Sequence, residues 1–411
     1  MAKDYLFPTG EDWNWSEATP FAHCVGIGDQ VFISGQQTLD SEGNVLGAGD
    51  IGAQTRNVFE NMKSRLEKMG LGLADLVRLN TYYVFDGADE DATKYWEDMT
   101  RVRLEYFPDP GPAATAVRIK GMPYAEQLIQ IEGIALRGTS RDNRKRIMPN
   151  GSWDWSISVP LSQGWRVGER VFVGGQISAD EKGKSVHVGD LDAQTRNIFK
   201  YVGNVLSDAG GSFDDVTHVK VCFKHDSYLP TGQSYADRIM EVATEFVSDK
   251  NAVLTAFGVD LLYPGLDLEI DAMAIIGPGR KRLAKSLEGG SYQPNDYSDG
   301  VSASGEIFVG GQVALEDNGA VLEPGNPGEQ ARIVFERLAS VLAADGATLD
   351  DVVKLNIFFV AEDGQTAETF AAMSAAWTNI APDAHPAMTP VRVHELARDG
   401  LLVQADCIAL K

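Results

Sequence analysis

Apolar and polar residues alternate along the chain in one pattern that occurs three times. Each copy opens with a short β-branched strand that ends in Gly-Gln, at 30–36, 170–176 and 306–312. A helix follows, with an apolar face of Val58, Met62 and Leu66 in the first copy. An alternating strand, a second helix and two closing strands, expected to pair as a hairpin, complete the copy. The pattern predicts an α+β unit that carries its helices on one face of a sheet.

Two sequence markers show that these copies are tandem repeats. The strand-end glutamines are Gln36, Gln176 and Gln312, at offsets of 140 and then 136 residues. The Gln-Thr-Arg or Gln-Ala-Arg segments at 54–56, 194–196 and 330–332 repeat at the same two offsets. Polar segments rich in Gly and Pro, at 139–151 and 277–294, read as linkers. The sequence therefore predicts three domains, at 1–140, 141–279 and 280–411.

Composition narrows the classes of partner. The chain of 411 residues has 36 Lys and Arg against 59 Asp and Glu, a formal charge of −23. That charge argues against binding to nucleic acid or to an anionic membrane, since both need a basic face. The three widely spaced cysteines suggest no disulfide framework. The chain start has no apolar signal-like region, and no apolar run approaches the length of a membrane span, so a cytoplasmic location is expected.

The order of motifs resembles the RidA (YjgF-like) family of enamine/imine deaminases. The resemblance rests on the strand ending in Ser/Gly-Gly-Gln, the Gln-Thr/Ala-Arg helix, Pro-Ala-x-Thr at 112–115 and 386–389, and Ile-Glu-x-Ile-Ala at 131–135. Members of that family form homotrimers whose sheets face inward, with a small-molecule cleft between neighbours. One chain with three copies is thus expected to form an intramolecular pseudo-trimer of chorismate-mutase-like domains, with helices outward. Such pseudo-trimers could also associate with one another.

The resemblance also assigns candidate residues to the clefts. The family's arginine, which grips a substrate carboxylate, is replaced here by Ala114, Leu254 and Met388. The family's acid on the last strand is kept only as Glu269, since Gln130 and Gln404 occupy the matching positions. An amide can bind substrate but cannot accept a proton. One active cleft centred on Glu269 is therefore expected.

Hydroxyl groups at the family's positions are scattered over the copies. The tyrosine near the start of the unit is kept as Tyr297, and Phe21 and Leu161 replace it elsewhere. The strand serine is kept as Ser34, and Ser374 is aligned with an asparagine on the second helix. The resemblance implies Glu269, Tyr297 and Ser34 as catalytic residues. It implies substrate contacts from Gln130, Gln404, Ser374 and Phe21.

Two arginines have a second interpretation. Arg118 and Arg392 lie four residues beyond the missing arginine, on the same strand and the same face. They could be relocated anchors for an anionic substrate. The simpler interpretation, which we prefer, pairs them across the hairpin with Glu132 and Asp406.

The paired tryptophans at 13 and 15, and again at 153 and 155, allow two interpretations. They could form a lid that stacks on a planar substrate, or apolar plugs between copies, and we prefer the plugs.

The predicted function is hydrolysis or deamination of a small molecule in a cleft between repeats. The resemblance also admits the chorismatase-like branch of the superfamily. The alternative is a non-catalytic protein that binds small molecules or acts in stress. No metal and no cofactor are expected, because His385 and His394 lack the spacing of metal ligands and no Gly-rich phosphate loop follows a strand.

Overall fold

The computed structural model describes residues 2–247, 252–284 and 297–411. Most of the second predicted linker, residues 285–294, lies outside the described residues. Repeat 1 contains β1 (Lys3–Leu6), β2 (Cys24–Ile27), β3 (Gln30–Gln36), α1 (Ile51–Lys68), β4 (Leu76–Tyr83), α2 (Asp89–Arg103), β5 (Ala113–Arg118) and β6 (Ile129–Leu136). A short helix, α3 (Thr139–Asp142), follows it.

The other two repeats have the same order of elements, except that repeat 3 has one additional strand of two residues. Repeat 2 contains β7 (Arg144–Ile147), β8 (Gly164–Val167), β9 (Arg170–Ile177), α4 (Leu191–Asp208), β10 (Val216–Lys224), α5 (Tyr235–Ala243), β11 (Val253–Val259) and β12 (Leu268–Ile275). Repeat 3 contains β13 (Lys281–Leu283), β14 (Gly300–Ala303), β15 (Glu306–Val313), α6 (Pro327–Ala343), β16 (Val352–Phe359), α7 (Thr366–Ile380), β17 (Ala387–Arg392), β18 (Glu395–Leu396) and β19 (Val403–Leu410).

Each repeat folds as one mixed sheet, except that β18 of repeat 3 joins the sheet of repeat 2 by pairing with β11. This confirms the α+β prediction. In repeat 1 the strand order is β1-β2-β3-β6-β4-β5, and only β4 and β5 run parallel. The expected hairpin of the two closing strands is wrong, because β4 lies between β5 and β6. The chain leaves β4, crosses over through α2 and returns as β5 beside β4, so the parallel partner occupies the edge. The last strand then inserts between β3 and β4.

The helices pack on one face of each sheet. Val58, Met62 and Leu66 of α1 are fully buried, as their spacing predicts. The opposite faces of the three sheets meet in an apolar core that takes equivalent residues from every repeat, among them Phe32, Phe172 and Phe308. The sheets therefore face inward, where each one covers apolar surface of the others.

Contacts between the repeats form a closed cycle. Strand β5 of repeat 1 lies against β9 of repeat 2, β11 of repeat 2 against β15 of repeat 3, and β17 of repeat 3 against β3 of repeat 1. The chain thus forms a ring in which each repeat has both of the others as neighbours.

Charged side chains are buried where the three repeats meet. Lys354 Nζ of repeat 3 lies 2.5 Å from Glu132 Oε2 of repeat 1, and Arg78 of repeat 1 pairs with Asp271 of repeat 2. The third pair, which joins repeats 2 and 3, has a longer separation, since His218 of repeat 2 is 4.0 Å from Asp406 of repeat 3. All of these side chains except Asp271 line a cavity of about 30 Å³. The cavity and its lining join all three repeats through polar contacts.

The structure also bears on the cysteines and on the question of membrane-spanning helices. Cys24, Cys222 and Cys407 are all free and buried. Among the described residues, no helix combines the length and the apolar character needed to cross a bilayer.

Candidate functional site

Each repeat meets the next in one of three equivalent interfaces, which we call clefts, and a backbone hydrogen bond bridges each of them. In each cleft the donor is a backbone N–H of one repeat, next to the position that corresponds to the family's tyrosine. The acceptor is a backbone carbonyl of the other repeat, two residues before the position that corresponds to the family's arginine. The three bonds are Ser162 N to Pro112 O at 3.1 Å, Ser298 N to Ala252 O at 2.9 Å, and Ala22 N to Pro386 O at 3.1 Å. We call the clefts 1–2, 2–3 and 3–1 after the repeats that form them.

One side chain of the last strand reaches across each cleft. Gln130 Nε2 donates to Pro390 O at 3.1 Å in cleft 3–1, and Gln404 Nε2 donates to Ala256 O at 3.3 Å in cleft 2–3. In cleft 1–2 the direction is reversed, because Ala116 N–H donates to Glu269 Oε1 at 3.4 Å. The three side chains therefore take equivalent places, and Glu269 alone among them brings a carboxyl group.

The Gly-Gln motif makes room for these side chains. A Cβ at Gly175 would lie 1.8 Å from Glu269 Oε1, and a Cβ at Gly35 would lie 2.6 Å from Gln130 Cδ. Only glycine fits at these positions without displacing the side chain of the last strand. The local sequence thus fixes where the carboxyl group of Glu269 lies.

Glu269 is an incompletely satisfied buried acid. The residue is 4% exposed, and its Oε2 has no hydrogen-bond partner among the residues that the structure describes. Burial raises the pKa of this carboxyl group to about 8, against the opposing effect of the Ala116 hydrogen bond and with a further increase from Asp271. At neutral pH the group is mostly protonated, so it can donate a proton as well as accept one.

We expect Glu269→Gln to stabilise the protein at alkaline pH. The folded protein holds the Glu269 proton up to about pH 8, whereas the unfolded chain releases it near 4.5. Stability from this group is therefore fully present below pH 4.5 and is lost as the pH rises through 8, at roughly 1.4 kcal/mol per pH unit. The amide has no such loss. Thermal unfolding should show the variant more stable than the wild type at pH 9 and similar at pH 5; a less stable variant at pH 9 would contradict the buried-acid assignment.

One further buried polar side chain, Tyr83, lies near enough to Glu269 to be affected by its charge. Burial raises the pKa of Tyr83, and the nearby charge of Glu269 adds to that increase. The Tyr83 hydroxyl is buried with no hydrogen-bond partner in the described part of the chain. Phe223 and Phe359 occupy the position of Tyr83 in the other repeats. Sequence reasoning missed Tyr83, although comparison of the three repeats would have shown that only repeat 1 has a hydroxyl there.

The structure distributes the predicted catalytic residues over the three clefts. Glu269 lies in cleft 1–2, whereas Tyr297 is next to the backbone bridge of cleft 2–3. Ser34 lies in cleft 3–1, where its hydroxyl accepts from Gln36 Nε2 at 2.9 Å and the next residue, Gly35, donates to Thr389 Oγ1. The three are not brought together, so they do not form one constellation.

The predicted binding residues are distributed in the same way. Gln130 lies in cleft 3–1 and Gln404 in cleft 2–3. Phe21 belongs to an apolar cluster that joins repeat 1 to repeat 3, and Ser374 is buried on α7, one residue from Met373 of that cluster. Their roles in binding stay predictions.

The two arginines have partners other than those expected. Arg118 Nη2 lies 2.8 Å from Asp89 Oδ1, and Arg392 Nη2 lies 2.6 Å from Asp363 Oδ1. The expected pairing with Glu132 and Asp406 is wrong, because β4 and β16 separate the closing strands. Both guanidinium groups also donate to backbone carbonyls, Arg118 to Leu261 O and Arg392 to Ala361 O. They are structural contacts in this conformation.

Aromatic side chains fill cleft 3–1. Trp15 packs on Phe21 with ring centroids 4.1 Å apart, and it meets Phe370 of repeat 3 at 5.3 Å. Trp13 and Trp15 are therefore plugs between repeats, as preferred above.

Cleft 1–2 has an open groove on its outer side. The groove has a volume of about 590 Å³ and is lined by residues of both repeats, including Leu104, Trp155 and Leu161. Leu161 stands where cleft 3–1 has the larger Phe21. Glu269 is not part of this lining, and it is buried in the interface between the same two repeats.

The fold defines a protein built from three tandem copies of one α+β unit. The chain belongs to the endoribonuclease L-PSP family, whose model matches residues 14–137, 156–276 and 291–411. This confirms the three tandem copies and the resemblance to RidA-type proteins.

Individual relatives match single repeats. A RutC family protein of Pyrococcus abyssi is 35% identical over 137 residues, 33% of this chain and 99% of the relative. The 3-aminoacrylate deaminase RutC of Acinetobacter baylyi is 32% identical over 135 residues, 33% of this chain and 98% of the relative. A crystal structure of chorismatase matches across the repeats, covering 82% of this chain and 93% of its own with a TM-score of 0.53. At 12% identity this last similarity concerns the fold alone.

Proposed function

We propose that the protein is a deaminase that hydrolyses a small enamine or imine in cleft 1–2, with Glu269 as the proton-transfer group. The observation that carries this proposal is the acid itself. Glu269 is buried, has one oxygen without a partner among the described residues and has a pKa of about 8. A catalytic acid or base works best when its pKa lies near the operating pH. Membership of a family that includes a 3-aminoacrylate deaminase supports the reaction class.

Glu269 can serve both proton transfers of such a reaction. Its protonated form donates to the β-carbon of an enamine or to the nitrogen of an imine, which leaves an iminium ion and a carboxylate. The carboxylate then takes a proton from a water molecule that attacks the C=N carbon. Glu269, now protonated again, gives its proton to the amino group of the resulting carbinolamine and takes the hydroxyl proton as the C–N bond breaks. Ammonia leaves, the C=O bond of the carbonyl product forms, and Glu269 ends in its starting protonated form, with one water consumed for each ammonia released. The Tyr83 hydroxyl is available to hold the water or the nitrogen.

The substrate that fits cleft 1–2 is uncharged. Ala114 faces Gly174 across the cleft, with its backbone N and O 3.1 Å from the place of a Cβ on that glycine. Because residue 114 is alanine, this position has no guanidinium group that could bind a substrate carboxylate. Arg118, the alternative anchor, is already paired with Asp89 and Leu261 O. We propose that the side chains of Leu161 and Trp155 guide an apolar or aromatic imine from the outer groove.

We do not propose ribonuclease activity, although the family model is described as an endoribonuclease. A ribonuclease needs basic groups that neutralise phosphates, and this chain carries a formal charge of −23. A small molecule is the better match to a cleft with one buried acid.

The test is release of ammonia from imines generated in the assay. We expect turnover of uncharged imines, and weaker turnover of 3-aminoacrylate, the carboxylate substrate named for the Acinetobacter baylyi relative. The comparison measures kcat/KM for both substrate types against a control without protein. Absence of ammonia above that control would contradict the proposal and favour the non-catalytic, ligand-binding alternative.

A further inference from the structure

Two histidines and an aspartate meet where all three repeats come together. His225 Nε2 lies 3.3 Å from Asp260 Oδ1, and His394 Nε2 lies 3.5 Å from Asp260 Oδ2. One ligand atom from each of the three residues lies within 4.8 Å of the others. The side chains are 32%, 25% and 17% exposed for His225, Asp260 and His394, so the group is accessible from solvent.

The backbone holds each of these residues in place. His225 N–H donates to Val259 O at 3.1 Å, and His394 N–H donates to Gly258 O at 3.1 Å. Asp260 exchanges two backbone hydrogen bonds with Arg118 of repeat 1. A site built here would therefore be anchored at strand ends of repeats 2 and 3, which hydrogen bonds tie to each other and to a strand of repeat 1.

In the absence of an ion His225 and Asp260 share a long hydrogen bond, and the distances in the cluster also fit a metal ion. A charge-assisted N–H···O bond is roughly 2.7–2.9 Å long, shorter than either separation here. Two ligands of a tetrahedral zinc ion with bonds of 2.0–2.1 Å are roughly 3.3–3.4 Å apart, which is close to both. The two imidazole rings are parallel, 4.0 Å between centroids and 8° between planes. Coordination thus requires one ring to turn about its Cβ–Cγ bond so that the nitrogen lone pairs converge.

Charged groups of both signs face the cluster. Arg118 Nη2 lies 4.0 Å from Asp260 Oδ1 but is paired more closely with Asp89. Lys120, which acts on His394, is turned towards Asp363. Two carboxylates act on His225 besides Asp260, namely Asp226 and Glu395. The nearest cations thus have their own acidic partners, and extra acidic groups remain to attract a cation.

We propose that His225, Asp260 and His394 bind a divalent transition metal ion, with zinc as the best match to two imidazoles and one carboxylate. Water completes the coordination. The ion joins the strand ends of repeats 2 and 3 beside a strand of repeat 1. The other corners of the ring lack this set, since Lys120 takes the place of Asp260 in repeat 1, and Phe85 and Ala361 take the place of His225. One ion per chain follows.

The test is direct binding of metal to the full chain after treatment with a chelator. Titration with Co²⁺, followed by its visible d–d absorption, should give one equivalent with a micromolar or tighter Kd, and Zn²⁺ should displace it. Thermal unfolding with Zn²⁺ in excess should shift upward by a few degrees, because the ion binds only the folded chain. Neither measurement involves a substrate, so the outcome is independent of the proposed activity.

The variants His225→Gln, His394→Gln and Asp260→Asn should each weaken binding at least 10-fold. His385→Gln is the matched control, because this histidine lies outside the cluster, bonded to Asp383 O and packed on Phe7. Unfolding in the absence of metal identifies any variant that fails to fold, and the two histidines test the same claim from different strands. No binding, or binding that the cluster variants retain, would overturn the proposal.

Discussion

Glu269→Gln should lower kcat for imine hydrolysis by about 10²–10⁴-fold, the usual effect of removing a general acid or base. The amide keeps the shape of the side chain and can face the Ala116 N–H through its oxygen, so the fold should persist. Repeats 1 and 3 carry glutamine at this position in the same backbone setting. The variant thus removes proton transfer from cleft 1–2 and little else.

The pH profile gives a second readout of the same prediction. Because the protonated acid donates first, kcat/KM of the wild type should fall as the pH rises through about 8, the pKa that burial gives Glu269. The residual activity of Glu269→Gln should lack this inflection. Gln404→Ala is the matched control in cleft 2–3 and should keep activity within a few-fold. Equal losses in both variants, or full activity in Glu269→Gln, would place the reaction elsewhere.

Glu132→Ala should lower the free energy of unfolding by about 3–5 kcal/mol, because it leaves the buried Lys354 ammonium without its counter-charge. Both side chains are nearly inaccessible, at 3% and 5% exposure. Burial alone would raise the pKa of Glu132, but Lys354 and Lys220 lower it to about 2. The stabilisation from this carboxylate is therefore present above its ordinary pKa of 4.5 and is lost as the pH falls through 2. Denaturant unfolding at neutral pH measures the loss.

Two further variants separate the ion pair from general damage. The double variant Glu132→Leu with Lys354→Met removes both charges and should recover much of the lost stability. Glu105→Ala breaks a solvent-exposed pair with Arg56, at 2.8 Å, and should have little effect on the free energy of unfolding, because water screens the two charges. A Glu132→Ala variant no less stable than Glu105→Ala would refute the role of the buried pair.

The sequence predicted what depends on local spacing. The offsets of Gln36, Gln176 and Gln312 gave the repeats, and the face of Val58, Met62 and Leu66 gave the buried side of α1. Strand order was predicted wrongly, because adjacency in the chain favours a hairpin whereas β4 separates β5 from β6. The partners of Arg118 and Arg392 were missed for the same reason.

The candidate catalytic residues and the histidine cluster depend on contacts between repeats, and the spacing of residues along the chain does not predict these contacts. Comparison of each repeat with the family pattern gave Glu269, Tyr297 and Ser34 as candidates. They occupy different clefts because of the way the repeats pack against one another, which the pattern does not show. His225 and His394 belong to different repeats and have no motif in common. Only the ring brings their nitrogens to one carboxylate.

The closed cycle of contacts has a consequence for how stability depends on dilution. Three separate copies would have to find one another, and their assembly would weaken as the protein became scarce. In this chain the linkers hold each repeat at a high effective concentration next to its neighbours. The clefts therefore form with first-order kinetics within a single molecule, and a cell with few copies of the protein would have every cleft assembled.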